Sequence, residues 1–376
     1  MTRSVISGSG LFTPSDSITN AELVACHTES VGRFNREHAQ EIADGQVEAR
    51  VESTERFIVK ASGIKSRYVL DKRGVLDPER VRPRLPLRKA DEWSIQCEMS
   101  MHAVEEALQR AGRQGEEVDA VLVACSNLQR PYPAVAIEVQ EAMGAAGWAF
   151  DLNVACSSAT FGIQSAADAI ANGHARCVVV VNPEITSAHN NFELRDSHFI
   201  FGDACTAVVV EPSDRCRRDE GFEIIGTRLQ TRFSNNIRND FGFLNACETG
   251  DRDPHELLFR QNGRQVVKEV CPMVAAHIIE HLADHDLAPG DVSRLWLHQA
   301  NLSMNQIIGK RVMGRELGER EGPVILDEYA NTSSAGSVIA FHRYHEDLAE
   351  GDIGVLCSFG AGYSVGSVIL RKARIG

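Results

Sequence analysis

Three side chains in this 376-residue chain combine into a recognisable chemistry: Cys156, His298 and Asn331. Cys156 stands in Asp151-Leu-Asn-Val-Ala-Cys-Ser-Ser-Ala-Thr, between an expected strand from Phe150 to Val154 and a small-residue helix beginning near Ser158. A thiol at a helix N-terminus meets unpaired amides and the positive end of the dipole, which favours the thiolate without a strong base. The plainer reading is a buried structural cysteine, a common fate for a free thiol. His298 follows the apolar strand Arg294 to Leu297 in Leu-His-Gln-Ala-Asn, at the edge of a sheet where sites form. A lone histidine is nevertheless more often structural. Asn331 lies in Tyr-Ala-Asn-Thr-Ser-Ser-Ala-Gly, a small-residue segment that also fits a simple Asx-turn. Near the C-terminus, Ser358-Phe-Gly-Ala-Gly-Tyr offers backbone amides with glycines at 360 and 362, which lets the chain approach a ligand as an oxyanion hole requires. It leads into a strand rather than a helix, which disfavours a phosphate cradle.

These residues acquire joint meaning from an internal repeat. Glu106 to Asn127 (EALQRAGRQGEEVDAVLVACSN) and Glu280 to Asn301 (EHLADHDLAPGDVSRLWLHQAN) align without gaps as helix, loop, strand and polar strand end. The Cys156 segment echoes Asp327-Glu-Tyr-Ala-Asn-Thr-Ser-Ser-Ala-Gly, and Phe201-Gly-Asp-Ala echoes Phe359-Gly-Ala-Gly. Three matches in one order indicate two related halves, and a pseudo-twofold between them brings Cys156 and Asn331 to one centre. Alternation of apolar strands such as Val118 to Ala124 with helical stretches indicates an α/β architecture with helices layered on sheets. The seam falls at Arg215 to Gly221, giving halves 1–214 and 215–376. Two stretches, His27 to Arg50 and Asp71 to Trp93, read as insertions. The second carries Arg80, Arg82, Arg84, Arg88 and Lys89 with no acid among them.

Bulk properties narrow the partners. A net charge of −13 argues against nucleic acid or an anionic membrane, both of which need a broad basic surface. The ten cysteines form no CxxC pair and no metal-ligand spacing, as in a reducing cytoplasm. No apolar run reaches the roughly 18 residues of a membrane helix, and the first residues are too polar for a signal peptide.

In these motifs the sequence resembles the β-ketoacyl-acyl-carrier-protein synthase III family of the thiolase superfamily. The ordered segments Ile6-Ser-Gly-Ser-Gly-Leu, Phe57-Ile-Val-Lys-Ala-Ser-Gly-Ile, Asp151 to Ser158, Phe201-Gly-Asp, His298-Gln-Ala-Asn, Asn331-Thr-Ser and Phe359-Gly-Ala-Gly carry the resemblance along nearly the whole chain. It implies a five-layered αβαβα thiolase fold of two duplicated halves, a homodimer, and a Cys156, His298 and Asn331 triad. The implied reaction is ping-pong: Cys156 takes an acyl group from acyl-coenzyme A, with backbone amides of Cys156 and Ala361 holding the oxyanion. His298 and Asn331 then serve malonyl-acyl-carrier protein, whose decarboxylation supplies the carbanion, so that no metal and no cofactor beyond the coenzyme A substrate is expected. Two neutral donors suit an enolate, where a carboxylate third member would suit hydrolysis.

The resemblance further implies that Phe57, Arg195 and Phe359 contact the substrate, that Tyr132 enters the partner subunit's acyl pocket, and that Lys268, Lys310 and Arg311 dock the carrier protein. Met304, Ile307, Ile308 and Val312 form an apolar stripe that would turn Lys310 outward. Phe57 replaces the family's usual tryptophan, and Ala61 and Ser303 replace two arginines. With that grip reduced, a medium-chain primer is expected, helped by the basic insertion and its Leu85 and Leu87. Alternative readings are a secondary-metabolite or head-to-head condensing enzyme, an acyltransferase or thioesterase on the same fold, and an inactive partner subunit.

Overall fold

The computed structural model describes residues 3–375. The chain runs β1 (Ser4–Phe12), β2 (Asp16–Thr19), α1 (Asn20–Glu37), α2 (Ala39–Ala43), α3 (Glu55–Ser62), β3 (Ser66–Val69), α4 (Lys72–Val75), α5 (Ile95–Ala111), β4 (Ala120–Ala124), α6 (Val135–Met143), β5 (Trp148–Leu152), α7 (Ser158–Ala171), β6 (Val178–Glu184) and β7 (Ala204–Pro212). It continues with β8 (Glu220–Ser234), β9 (Ile237–Arg238), β10 (Arg260–Gln261), α8 (Gly263–Ala283), β11 (Val292–Leu297), α9 (Leu302–Met313), α10 (Leu326–Tyr329), α11 (Ala335–Arg343), β12 (Ile353–Gly360) and β13 (Gly362–Arg374).

Strands buried on both faces read as continuous apolar runs, and their alternation separates three cores. In β4, Ala120, Leu122 and Ala124 face an inner core, while Val121 and Val123 face an outer one with α5 and α6. In the second half Trp296, Leu356 and Val368 face the same inner core, whereas Leu295, Val355 and Ile369 face α8 and α9. Helices α7 and α11 fill the inner core, which makes five layers in the order αβαβα. The small residues of α7 are needed there, because a Cβ on Gly162 would lie 2.7 Å from Val180 Cγ1.

The strands form one sheet in the order β11-β12-β13-β8-β1-β7-β6-β4-β5. Pairing is antiparallel from β1 through β7 to β6 and parallel from β6 through β4 to β5. The same pattern recurs from β8 through β13 and β12 to β11. The counterpart of β5 is reduced to a segment whose Glu321 carbonyl accepts the Leu295 N–H at 2.7 Å. The halves join where β1 meets β8, at Val5 opposite Glu223 and Ile6 opposite Phe222.

Both predicted insertions contribute side chains to the packing of the first half. His27, Ser30 and Val31 are buried on α1, which covers a fourth core with Ile58, Val75, Val81 and Phe199. Leu85 packs against the outer core of the first half, and Leu87 is 94% exposed. Arg84 pairs with Asp77 and Arg88 with Glu98, so these cations are already engaged. Among the described residues no helix is long and apolar enough to cross a membrane.

The glycines of Ile6-Ser-Gly-Ser-Gly-Leu are explained by contact with α5. A Cβ on Gly10 would sit 1.9 Å from the Ala103 carbonyl oxygen, and one on Gly8 2.1 Å from that of Ala107. Gly10→Ala is therefore expected to destabilise the protein by about 1–3 kcal/mol, the usual cost of overpacking a filled core. Urea denaturation checks this, and an unchanged midpoint would contradict the close packing.

Candidate active site

Three strand ends and the turn after α10 bring the site together. Between β5 and α7 the chain turns through Ala155 at φ +47°, a left-handed value that an alanine adopts only when its surroundings hold it. The Ser158 hydroxyl donates to the Ala155 carbonyl at 2.7 Å and accepts the Val154 N–H at 2.9 Å, while Asn153 Oδ1 accepts the Ala155 N–H at 2.9 Å. These bonds fix Cys156 at the apex. The strand expected at Phe150 to Val154 lies instead at Trp148–Leu152, because this turn withdraws Asn153 and Val154 from the ladder.

His298 leaves β11 with its N–H donated to the Cys357 carbonyl at 2.8 Å, and the Phe359 ring stands edge-on to its imidazole at 5.2 Å and 89°. Asn331 donates its N–H to the Ile200 carbonyl (3.0 Å) and accepts the Gly202 N–H (3.1 Å), so Phe201-Gly-Asp is the segment that holds it. The asparagine is also an Asx-turn: its Oδ1 accepts the Ser333 N–H at 2.9 Å. That bond settles which end of the amide is which, since only the oxygen can accept an N–H, and the Nδ2 donor edge is left for the cavity. The plainer reading of this residue and the functional one are thus compatible.

At the end of β12, Gly360 allows the two halves to touch. A Cβ there would lie 2.7 Å from the Cys156 Cβ and 3.0 Å from its sulfur. The next amide, that of Ala361, reaches the Cys156 sulfur, as does the N–H of Cys156 itself. Ser364 Oγ donates to the Ala361 carbonyl (2.8 Å) and lies 2.9 Å from Ser157 Oγ, which ties this strand end to the Cys156 turn.

Cys156, His298, Asn331, Phe57 and Phe359 all line one cavity of about 760 Å³. Arg195 lies behind Phe57, its guanidinium 3.6 Å from the ring centroid and its Nε donating to the Glu52 carbonyl at 3.0 Å. Lys268 lies on α8, and Lys310 and Arg311 on α9, all exposed on the outer surface. The buried stripe of Met304, Ile308 and Val312 turns that face of α9 outward, and Lys310 pairs with Glu316 at 2.6 Å. Tyr132 is 80% exposed on the β4–α6 connection and does not line this cavity.

Nor does any residue from 71 to 93 line it, which corrects the expectation that the basic insertion binds the primer. The cations at the cavity are Arg260 and Arg264, and the apolar wall comes from Ile237, Phe259, Val266 and Val270. Sequence reasoning missed this wall. Its one signal was the Val266 and Val270 spacing on α8, which equally fits ordinary core. It also missed Glu184, a fully buried carboxylate that accepts the Ser126 N–H at 3.0 Å and the Ser334 N–H at 3.2 Å.

The electrostatics correct one expectation. Burial pushes the Cys156 thiol up to about 11, against the pull of the Ser333 hydroxyl and the two amides. Desolvation outweighs any thiolate preference at the helix start. Burial also holds His298 down at about 4. Both shifts favour the uncharged forms, a thiol and an imidazole lining the same cavity.

Comparison with known proteins identifies the lineage. Residues 150–232 match the family model 3-oxoacyl-[acyl-carrier-protein (ACP)] synthase III, and residues 282–372 match its C-terminal counterpart. A β-ketoacyl-[acyl-carrier-protein] synthase III of Roseiflexus sp. is 30% identical, with 88% of this chain and 94% of the relative covered. The chain belongs to the β-ketoacyl-acyl-carrier-protein synthase III family. A β-ketodecanoyl-[acyl-carrier-protein] synthase of Pseudomonas aeruginosa is 59% identical, with 91% of this chain and 98% of the relative covered. The crystal structure of the Aquifex aeolicus synthase III has the same fold, with a TM-score of 0.75 at 24% identity over 98% of this chain and 99% of that one. This synthase III homologue is thus a thiolase-fold transferase of the condensing class.

A thiol held up at about 11 beside an imidazole held down at about 4 yields a definite pH dependence. Because the thiolate fraction grows as pH approaches the thiol's value, alkylation of Cys156 by iodoacetamide should still be accelerating between pH 7 and pH 9. A plateau already reached below pH 7 would mean that the resting site holds a thiolate.

Proposed function

We propose that this synthase condenses a medium-chain acyl-coenzyme A primer with malonyl-acyl-carrier protein, in fatty acid synthesis, through an acyl group carried on Cys156. The observation that carries the reading is the meeting of Cys156, His298 and the donor edge of Asn331 at one cavity with a largely apolar wall. Cys156 gives its proton to His298 and attacks the acyl thioester, while the amides of Cys156 and Ala361 receive the oxyanion. Coenzyme A leaves and the malonyl thioester enters. His298 Nε2–H and Asn331 Nδ2–H then donate to its carbonyl as carbon dioxide departs, and the resulting enolate carbon attacks the acyl group. No carboxylate is needed in the triad, because the charge to be stabilised is on the substrate.

Primer length is supported by the Pseudomonas aeruginosa relative, whose name states a ten-carbon 3-oxo product, an eight-carbon primer lengthened by two. Ile237, Phe259, Val266 and Val270 offer such a chain apolar contact. Each buried methylene adds up to about 0.8 kcal/mol, so an octanoyl chain gains far more from this wall than acetyl does. Carrier docking is read at α8 and α9, where Lys268 and Arg311 have no ion-pair partner among the described residues. A homodimer is read at β5, an unpaired sheet edge with Phe150 41% exposed and Tyr132 and Ile137 on the adjoining connection and helix.

A chain-length series tests the primer: octanoyl-coenzyme A should acylate Cys156 faster than acetyl-coenzyme A, read by intact-protein mass spectrometry. A best rate with acetyl would overturn it. Asn331→Ala should leave single-turnover acylation nearly intact while carbon dioxide release from malonyl-acyl-carrier protein falls roughly 10²-fold or more, the usual loss for one oxyanion donor. Equal loss of both steps would contradict the assigned division of labour.

A further inference from the structure

Ser333 occupies the point where the three proposed catalytic residues meet. Its Oγ lies 3.5 Å from the Cys156 sulfur, its N–H holds Asn331 Oδ1 at 2.9 Å, and its backbone lies against the His298 imidazole. The residue is buried and its φ is +49°, a left-handed conformation uncommon for a side chain with a Cβ. Strain of this kind persists where the surroundings over-determine it, and it concentrates at functional sites. Among the described residues the sulfur is the sole hydrogen-bond partner of this hydroxyl.

We propose that Ser333 is a further catalytic residue, whose hydroxyl donates to the Cys156 sulfur whenever that sulfur carries negative charge. The proposal rests on the reading that Cys156 carries the acyl group, and it adds a donor on the sulfur side of a site otherwise described by its oxygen-side donors. Charge appears on the sulfur twice. In acylation the thiol proton passes to His298, the sulfur electron pair forms the bond to the acyl carbon, the bond to the coenzyme A sulfur breaks, and the departing coenzyme A thiolate takes the proton from His298. In condensation the malonyl carboxylate departs as carbon dioxide, and the released electron pair forms the new carbon–carbon bond. The bond between the acyl carbon and the Cys156 sulfur breaks, and the sulfur leaves as thiolate, which takes a proton from water to restore the thiol. One donor at the sulfur therefore favours both the attack and the departure. Consistent with this geometry, the Ser333 hydroxyl is the strongest of the influences that lower the Cys156 thiol against burial.

The test uses Ser333→Gly, because glycine suits a positive φ and retains the N–H that holds Asn331. Ser333→Ala, which also lacks the hydroxyl, is the second variant. Cys156 alkylation by iodoacetamide should shift to higher pH in both, and single-turnover acylation by octanoyl-coenzyme A at pH 7 should fall about tenfold or more, as for a lost hydrogen bond to a charged group. Thermal melting of Ser333→Gly should match or exceed wild type, which separates lost chemistry from lost folding. Should either folded variant keep the wild-type alkylation profile and acylation rate, Ser333 has no catalytic role. Failure of the underlying reading looks different: wild-type enzyme would then take no acyl mass at Cys156.

Discussion

The contact between Cys156 and Gly360 is the constraint on which the site depends. A nucleophile turn from one half and a strand end from the other approach until even a methyl group could not stand between them, 2.7 Å being the distance a Cβ on Gly360 would leave to that of Cys156. Only this approach puts the Ala361 amide at the sulfur. It is made possible by the inner layer, where α7 lies so close to β6 that Gly162 has no room for a side chain. Small residues in the middle of the fold thus set the spacing of the reactive groups at its edge. The turn between β5 and α7 carries the thiol, and the turn between α10 and α11 carries the amide of Asn331 on the same cavity.

Within that frame, the site works by keeping its resting groups neutral. Removing a thiol from water disfavours its anion, and removing an imidazole disfavours its cation, so burial moves Cys156 up and His298 down. In the proposed reaction, charge forms where donors are already placed. Two amides and Ser333 face the sulfur, and the donor edge of Asn331 faces the cavity because its oxygen is occupied by the Ser333 N–H. The buried Glu184 bonds the backbone of both Ser126 and Ser334, so the turn after Asn331 is anchored from behind. Rigid placement of this kind lets neutral dipoles stabilise a transient oxyanion without reorganising during reaction.

The cavity wall is built from both aromatic and cationic residues. Arg195, behind the cavity wall, stacks on Phe57 and donates to the Glu52 carbonyl, which holds the Phe57 ring in place. Arg260 is held by Asp240 at 2.7 Å, which leaves Arg264 the freer of the two cavity cations. The hairpin of β9 and β10, with Ile237 on one strand and Phe259 just before the other, makes much of the wall apolar. The basic insertion stands apart from the cavity, with Arg84 and Arg88 paired to Asp77 and Glu98 and the partly buried Leu85 packed against the outer core.

Much of this was legible in the sequence, and the boundary is physical. The layering, and the convergence of Cys156, His298 and Asn331 on one cavity, could be read because local pattern encodes them: strands buried on both faces must be apolar throughout, and tight turns must be built from small residues. The insertion misled because a run of arginines shows charge but not partners, and Asp77 and Glu98 decide whether those charges are available. The thiol misled because a helix start can be read from sequence, whereas the desolvation opposing it depends on what the other half packs around the sulfur. Ser333 carried no signal at all, since its hydroxyl gains meaning only from a sulfur far away in the chain. Residue types and their order are set by the sequence alone; which polar groups lose water, which find partners and which are left free follows from tertiary packing, because hydration and pairing are properties of neighbours in space.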